Sequence, residues 1–236
     1  KQNLIDANAT IKLIKKLDID LIFLDHYQLN QIWEEKVSKH CNIVLISDEL
    51  KRNTHCNFLI NYNVLYEDKN QFNKLLNKNC KRLIGPEYSI IKKYLSNKTK
   101  KEKKIVVYMG GVDTKNYTME IIFILRNIQF KNYKILIIIG EKNLKKKEII
   151  NEIKNYDNFE FSIGNKKNLY DYFNNSSLVI SNGGTSMYEH MTLGLKSLII
   201  AQTKMQKNTC ERLSSANLIN FFLSIKSLKS EDISSI

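Results

Sequence analysis

The order of apolar and polar positions along the chain predicts an α/β protein made of parallel βα units. Short apolar runs typical of buried strands alternate with longer segments whose apolar residues recur at helical spacing. The predicted strands are residues 21–24, 42–50, 58–64, 105–109, 134–139, 159–163, 176–180 and 195–202. The predicted helices are residues 3–17, 31–40, 67–75, 117–128, 143–154, 169–174 and 208–216. A strand, helix, strand order of this kind is typical of parallel sheets.

A lysine-rich run at residues 96–103 interrupts this alternation. Charge runs of this kind are typical of linkers, and the alternation of strands and helices restarts directly after it. A solvated loop inside one domain would carry the same composition. We interpret the run as a linker between an N-terminal domain, residues 1–95, and a C-terminal domain, residues 104–236.

The stretch from Ser181 to Ile200 is the centre of the functional interpretation. It reads as the end of a strand, a glycine-rich turn, a helix and a further strand. The turn itself consists of Asn182, Gly183, Gly184, Thr185 and Ser186. Backbone N–H groups and the positive end of the helix dipole converge at such a turn, so it is suited to bind an anion.

Glu189 lies about one helical turn beyond these glycines. At that place its carboxylate would accept hydrogen bonds from two sugar hydroxyls while the phosphates rest on the turn, which favours a nucleotide sugar over a bare phosphate. A second strand and turn of the same kind ends in Gly110 and Gly111. Asp113 or Thr114 then follows as the expected cap of the next helix.

A structural explanation of these residues stays open at this point. A Gly-Gly pair after a buried strand is often only a tight turn, and a glutamate on a helix is usually solvated. Two such turns on one sheet favour ligand binding, because both would lie at the carboxyl edge of the strands, where open α/β sheets bind ligands.

Polar residues also follow the first two predicted strands. Asp25, His26 and Tyr27 end the first, and Asp48 and Glu49 end the second. The alternative is that Asp25 caps the following helix and that His26 is a half-buried, hydrogen-bonded side chain. A catalytic pair of His55 and Cys56 is disfavoured, since neighbouring residues on a strand point to opposite faces.

Composition limits the classes of protein to which the chain can belong. The 236 residues are 43% hydrophobic, enough for one large or two ordinary domains. The sequence has no apolar run long enough to cross a membrane and no signal peptide, so we expect a soluble cytoplasmic protein without membrane insertion. It begins with Lys1 instead of Met, and we expect a fragment or a trimmed chain. Four separated cysteines indicate half-buried thiols instead of a zinc site or disulfides.

The net charge of +13 is spread over lysine-rich helices and the linker and does not form an arginine-rich stripe. We therefore do not expect a nucleic-acid partner, and we interpret the charge as mild attraction for anionic small molecules.

Five segments carry a more specific signal together than alone. They are DHY at 25–27, SDE at 47–49 with HCNFLIN at 55–61, GPEYSIIK at 85–92, YMGGVDTKN at 108–116 and ISNGGTSMYE at 180–189. In this order and spacing they resemble the UDP-2,4-diacetamido-2,4,6-trideoxy-β-L-altropyranose hydrolases of pseudaminic acid biosynthesis. That resemblance covers nearly the whole chain. It implies two Rossmann-like domains in a GT-B-like arrangement, the first one incomplete.

The resemblance also implies roles for individual residues. Glu189 matches the carboxylate that holds the ribose hydroxyls of uridine, and Tyr27 matches a tyrosine beside the sugar, with His26 next to it as a catalytic candidate. Lys92 stands where relatives carry an arginine, so the charge is kept and bidentate bonding is lost. The segments lining the substrate are matched by Gly110, Gly111, Asp113, Ser181, Asn182, Gly183, Gly184, Thr185, Ser186 and Gln206.

The sequence departs from the family pattern in two places. The catalytic histidine of the family lies in a GxGH loop that the 236 residues do not contain. Met205 also stands where relatives tend to have Asn before the glutamine matched by Gln206. The expected chemistry is attack of water at the anomeric carbon with release of UDP, without a metal or other cofactor. We expect the full-length protein to be the hydrolase, and this segment alone to bind nucleotide and to turn over substrate poorly or not at all.

Two rival functions use the same residues. A GT-B glycosyltransferase would hold a UDP-sugar on the same turn and glutamate, and it would require an acceptor alcohol. A non-catalytic nucleotide-sugar-binding module would use the nucleotide site alone.

Overall fold

In the computed structural model the chain forms two compact units, Lys1–Ile90 and Ile91–Ile236. The structure describes residues 2–47, 50, 52–63, 72–92, 102–128, 130, 132–164, 169–219, 221–224, 228–229 and 233. The predicted linker lies mostly outside these residues. Each unit is built around its own parallel sheet.

The first unit contains a four-stranded parallel sheet whose strands follow one another in chain order. Its elements are α1 (Gln2–Leu17), β1 (Leu21–Leu24), α2 (Gln31–Val37), β2 (Asn42–Ile46), β3 (Phe58–Asn61), β4 (Lys81–Ile84) and a 3-10 helix (Pro86–Tyr88). One apolar core packs α1 and α2 against the sheet, with Trp33, Ile43 and Leu59 almost fully buried in it.

The second unit contains a six-stranded parallel sheet in the order β10-β9-β8-β5-β6-β7. Its strands are β5 (Lys104–Tyr108), β6 (Lys134–Gly140), β7 (Phe159–Gly164), β8 (Leu178–Asn182), β9 (Ser197–Ala201) and β10 (Phe221–Ser224). Its helices are α3 (Tyr117–Leu125), α4 (Lys146–Ile153), α5 (Leu169–Asn174), α6 (Ser186–Thr192) and α7 (Lys204–Ser215).

Side chains alternate between two apolar cores on the faces of this sheet, as the pleat of a strand requires. Ile105 and Val107 of β5 pack in one core together with residues of α3 and α4. Val106 and Tyr108 pack in the other core with residues of α5, such as Phe173. Strands in the middle of the sheet are therefore buried on both faces, which explains why their sequences read as continuous apolar runs.

Most predicted elements are present, with shifted ends. The helix predicted at 31–40 ends at Val37, and the strands predicted at 42–50 and 58–64 end at Ile46 and Asn61. The helix predicted at 208–216 starts earlier, at Lys204, because the Thr203 hydroxyl caps it by accepting the N–H of Gln206 at 3.1 Å.

Three further predictions differ from the structure. β4 and β10 were not predicted, since KRLI and FFLS are short and only partly buried. The helix predicted at 67–75 lies largely outside the described residues, and residues 73–75 form a turn. The cysteines were expected to be half-buried, yet Cys41, Cys56, Cys80 and Cys210 are all buried free thiols.

None of the helices in the described part of the chain combines the length and the apolar character that crossing a bilayer requires.

Candidate functional site

The two predicted glycine turns lie side by side in the second unit. β5 pairs with β8, and the sheet continues from β5 to β6 on one side and from β8 to β9 on the other. The connections therefore leave in opposite directions at the carboxyl ends of these two strands, which is where open α/β sheets form a ligand crevice. Gly110 and Gly111 follow β5, and Gly183 and Gly184 follow β8.

The glycines keep the floor of this crevice open. Gly110 has a φ of +101°, a conformation that residues with a side chain rarely adopt. A Cβ atom on Gly110 would lie 3.0 Å from Asn182 Nδ2, so the two turns are in close contact. At the end of β6, a Cβ atom on Gly140 would lie 2.2 Å from the carbonyl oxygen of Gly111, which shows how tightly the turn is seated.

Backbone donors are available at both turns. Within the described residues, no hydrogen bond joins the N–H groups of Gly110, Gly111, Gly184, Thr185 or Ser186 to another part of the protein. The side chain of Thr185, at the start of α6, makes no capping hydrogen bond to this helix. These N–H groups are therefore open to an anionic ligand.

Tyr108 lies beside the Gly110–Gly111 turn, close enough to Glu189 for the charge of this carboxylate to act on its phenol. Tyr108, the last residue of β5, is buried except at its edge, and a Cβ atom on Gly111 would lie 3.9 Å from its hydroxyl oxygen. Burial raises the pKa of the Tyr108 phenol, and the nearby negative charge of Glu189 raises it further. The half-buried Glu189 thus lies near the end of β5 from which the Gly110–Gly111 turn begins.

Gln206 completes the floor below Gly183. A Cβ atom on Gly183 would lie 3.2 Å from the Cβ atom of Gln206. The Gln206 side chain accepts the backbone N–H of Gln202 at 2.8 Å, and the Gln202 amide in turn donates to the carbonyl of Met109 at 3.4 Å. Gln206 therefore ties the ends of β9 and β5 together, a link that its sequence position alone does not reveal. Met205, beside it, is exposed.

Asp113 caps α3 with both carboxylate oxygens. They accept the backbone N–H groups of Tyr117 and Thr118, each at 2.9 Å, and the residue is buried. The predicted capping role is therefore confirmed for Asp113. Its separate assignment to the substrate stays a prediction, because the observed contacts of its carboxylate are with the helix.

Ser181 contributes to the site through its neighbours. It is fully buried, and its hydroxyl oxygen lies 3.3 Å from His190 Nδ1 on α6. His190 also packs edge-on against Phe173, with ring centroids 4.7 Å apart. Burial lowers the pKa of His190 to about 3, so this imidazole is neutral. Ser181 and His190 therefore join β8 to α6 directly behind Glu189.

The first unit has its own pocket at the carboxyl ends of β1 and β2, with a volume of about 290 Å³. It is lined by Asp25, His26, Tyr27, Leu45, Ile46, Ser47, Leu50 and Arg52. The predicted catalytic residues His26 and Tyr27 thus lie together, both exposed, with 82% of Tyr27 accessible. Asp48 and Glu49 lie outside the described residues.

The hydrogen bonding of His26 limits its chemistry. Its Nδ1 accepts the backbone N–H of Gln28 at 3.1 Å. A ring nitrogen that accepts a hydrogen bond carries no proton, so the neutral imidazole carries its proton on Nε2. In this conformation Nδ1 is occupied as an acceptor, and Nε2–H is the ring group that can donate a hydrogen bond.

An ion pair between a fully buried glutamate and a partly exposed arginine supports this pocket. The Arg52 guanidinium meets the fully buried Glu34 carboxylate with N–O distances of 2.6 and 3.2 Å. Arg52 also donates to the carbonyl of Leu29 at 2.6 Å, and Glu34 accepts the N–H of His55 at 2.8 Å. The pair therefore fastens the segment after His26 and Tyr27 to the segment before β3, and no sequence pattern indicated it.

Lys92 is exposed, and its assignment to the substrate stays a prediction. Within the described ranges, no group of three or more His, Cys, Asp or Glu side chains is arranged to hold a metal ion.

No protein-family model matches the chain. It is 26% identical over 210 residues to the UDP-2,4-diacetamido-2,4,6-trideoxy-β-L-altropyranose hydrolase of Campylobacter jejuni, covering 86% of this chain and 74% of the hydrolase. It is 24% identical over 217 residues to an uncharacterized protein of Methanocaldococcus jannaschii, and here it spans only 44% of the length of its relative.

Solved structures give the fold. The chain is similar to MurG of Acinetobacter baumannii, with a TM-score of 0.61, 9% identity, and coverage of 97% of this chain and 67% of MurG. A putative UDP-N-acetylglucosamine 2-epimerase of Listeria monocytogenes gives a TM-score of 0.54 at 8% identity, covering 92% of this chain and 70% of the epimerase. The pneumococcal O-GlcNAc transferase GtfA gives a TM-score of 0.51 at 12% identity, covering 96% of this chain and 56% of GtfA. The prediction of an α/β protein with GT-B-like, Rossmann-like domains is confirmed.

Proposed function

We propose that this protein binds a UDP-sugar in the crevice between β5 and β8, and that it hydrolyses a UDP-2,4-diacetamido-2,4,6-trideoxy sugar. The observation that carries the proposal is the meeting of two glycine turns with open N–H groups, with Glu189 beside them. The similarity to the Campylobacter hydrolase supports the choice of reaction.

The crevice fits the parts of a nucleoside diphosphate. The N–H groups of Gly110, Gly111 and Gly184 would donate to the diphosphate oxygens, and the cramped contact between the turns leaves room for backbone approach only. Glu189 has two carboxylate oxygens, and a carboxylate of this kind accepts hydrogen bonds from two adjacent ribose hydroxyls. Asn182 and Gln206 would provide amide donors at the same place.

The proposed reaction is displacement at the anomeric carbon. The oxygen of a water molecule forms a bond to this carbon, the bond from the carbon to the diphosphate oxygen breaks, and UDP leaves with the bonding electrons. The proton of the water passes to a general base, and donors at the diphosphate stabilise the charge of the leaving group.

His26 would take part in this reaction as a donor. Since its Nδ1 already accepts the N–H of Gln28, its Nε2–H is the ring group left to donate, and His26 lines the pocket. The general base is then a different residue, in agreement with the resemblance, which places the catalytic histidine of the family in a GxGH loop. Tyr27, on the same pocket wall, is proposed to contact the sugar.

Calorimetric titration of the chain with UDP, ADP and GDP tests the nucleotide site. We expect selective binding of UDP and a loss of at least about thirtyfold in affinity for Glu189→Ala, because two hydrogen bonds to a charged group disappear. Glu211→Ala, an exposed substitution on α7, is the matched control and should bind as the original protein does. Unchanged affinity of Glu189→Ala, with UDP binding intact, would place the nucleotide elsewhere.

Glycosyl transfer is the second candidate. It is favoured by the names of two structural neighbours, since GtfA is an O-GlcNAc transferase whose structure contains UDP and GlcNAc, and another neighbour is a glycotransferase. The two reactions differ in their need for an acceptor. Release of UDP and free sugar in water alone would support hydrolysis, whereas release that begins only after an acceptor alcohol is added would support transfer.

A further inference from the structure

Tyr108 is a polar residue at the crevice that neither the motifs nor the resemblance assigned to the ligand. It ends β5, immediately before Met109 and the Gly110–Gly111 turn. Its ring is held firmly, because it packs in the core on the α5 side of the sheet and lies 6.3 Å from the Phe173 ring, measured between centroids.

The orientation of Tyr108 follows from the register of the sheet. Tyr108 pairs with Ser181 across β5 and β8, so both side chains stand on the same face. Ser181 contacts His190 of α6, and Phe173 packs against both His190 and Tyr108. The Tyr108 ring therefore lies below the helix turn that carries Glu189 and His190.

The hydroxyl group of Tyr108 reaches the crevice. Its oxygen would lie 3.9 Å from a Cβ atom on Gly111, which places it directly under the turn. Within the described residues, no protein group forms a hydrogen bond with this hydroxyl. Its oxygen is not one of the inaccessible polar atoms without a partner, so it is exposed to solvent. The ring is thus buried while its one hydrogen-bonding atom is accessible at the ligand side.

We propose that the Tyr108 hydroxyl is a ligand-contacting group that donates a hydrogen bond to a phosphate oxygen of the bound nucleotide. Its place under Gly111, within reach of the charge of Glu189, suits the junction between the diphosphate and the ribose, so the inference rests on the proposed nucleotide site. Burial and the charge of Glu189 both raise the pKa of the phenol, which keeps the proton that an anionic acceptor requires.

The test compares UDP with uridine on the intact chain. Tyr108→Phe removes one oxygen and keeps the ring in its packing, and we expect its affinity for UDP to fall about tenfold or more, as for a hydrogen bond to a charged group. Affinity for uridine should stay within about twofold, because the nucleoside has no phosphate. Tyr133→Phe is the matched control, because Tyr133 precedes β6 at the amino ends of the strands, away from the glycine turns.

Each outcome decides the inference. Equal loss of uridine and UDP affinity would mean that Tyr108 acts on the ribose or only on Glu189, and the phosphate contact would be wrong. UDP affinity in Tyr108→Phe equal to that of the original protein would also overturn it, while the nucleotide site itself would stand. If the original protein binds no UDP, both the site and the Tyr108 contact are wrong.

Discussion

The two units place polar residues at the carboxyl edge of a parallel sheet in different ways. In the second unit the edge is shaped by backbone, with glycines at the ends of β5 and β8 and open N–H groups between them. In the first unit the edge is lined by side chains, and the buried Glu34–Arg52 pair supports them. Backbone donors suit a constant ligand part such as phosphate, whereas side chains can be varied to suit one particular substrate.

Strand order explains much of this difference. The first sheet runs in chain order among the described strands, so its connections all leave in one direction. The second sheet changes direction between β5 and β8, which opens a crevice without any help from side chains. A pocket in the first unit must instead be held open by interactions such as the ion pair.

The largest effect is expected from Glu34→Ala in the first unit. Glu34 is fully buried and accepts hydrogen bonds from Arg52, Thr54 and the N–H of His55, so its removal leaves these donors unpaired and costs about 3 kcal/mol. Trp33 is the single tryptophan of the chain and is buried in this unit, so urea unfolding followed by its fluorescence reports on the first unit. A loss of less than about 1 kcal/mol would show that the pair does not support the pocket.

Glu35→Ala is the control for this substitution, because Glu35 lies beside Glu34 on α2 but is exposed. Its carboxylate accepts one hydrogen bond from the Gln31 side chain at 2.7 Å. Exposed substitutions of this kind usually change stability by less than about 0.5 kcal/mol, so the same fluorescence measurement should show almost no loss.

Gly140→Ala tests whether the second edge depends on backbone approach. The added methyl carbon would lie 2.2 Å from the Gly111 carbonyl oxygen, so the turn must move. We expect a loss of about 2 kcal/mol in the second unit, from overpacking, together with weaker UDP binding. Far-UV circular dichroism and calorimetry measure the two effects.

Gly194→Ala tests whether UDP binding is weakened by any glycine substitution in the second unit or only by one at a close backbone contact. Gly194 has a φ of +61° and no atom within 4 Å of an added Cβ. The substitution should lower the free energy of unfolding by about 1 kcal/mol through backbone strain and leave UDP affinity unchanged. Equal loss of UDP affinity in both variants would contradict a specific role for the Gly140–Gly111 contact.

Acid should destabilise the second unit through His190. Its pKa is about 3 in the folded protein against 6.5 without burial, so the unfolded chain binds the extra proton between these values. Stability is therefore full above pH 6.5 and falls as the pH decreases toward 3, by about 2 kcal/mol at pH 5. His190→Asn should show a smaller loss between pH 7 and pH 5, measured by urea unfolding. An identical pH dependence in both proteins would contradict the assignment.

The smallest effect is expected from Thr203→Ala. Loss of the cap at the start of α7 should cost about 1 kcal/mol. Thr185→Ala is the matched control, since Thr185 precedes α6 without a side-chain capping bond and should change stability by less than about 0.5 kcal/mol. Similar losses in the two variants would show that the Thr203 hydroxyl is not the stabilising group.

The sequence predicted the fold of the second unit well, because buried parallel strands have continuous apolar sequences. It also predicted that the glycine turns share one edge. It missed β4 and β10, whose burial depends on neighbours that are distant in the sequence. Glu34 was missed as well, although its helix position between Trp33 and Val37, both buried, is a signal that periodicity could have used.

Tyr108 and Gln206 show a second limit of sequence patterns. The apolar run of β5 predicts a buried Tyr108, and only its three-dimensional nearness to Gly111 and to the charge of Glu189 gives its hydroxyl a place at the crevice. Gln206 was predicted by resemblance to contact substrate, while its hydrogen bond to Gln202 depends on the cap at Thr203.

The pairing of β5 with β8 also has a kinetic consequence. Ile105 pairs with Leu178 across this boundary, whereas Val44 pairs with Phe58 in the first sheet, so the chain segment that must be closed is far longer in the second unit. Closing a longer segment costs more entropy and slows folding. We therefore expect refolding to restore the first sheet early and nucleotide-binding capacity late.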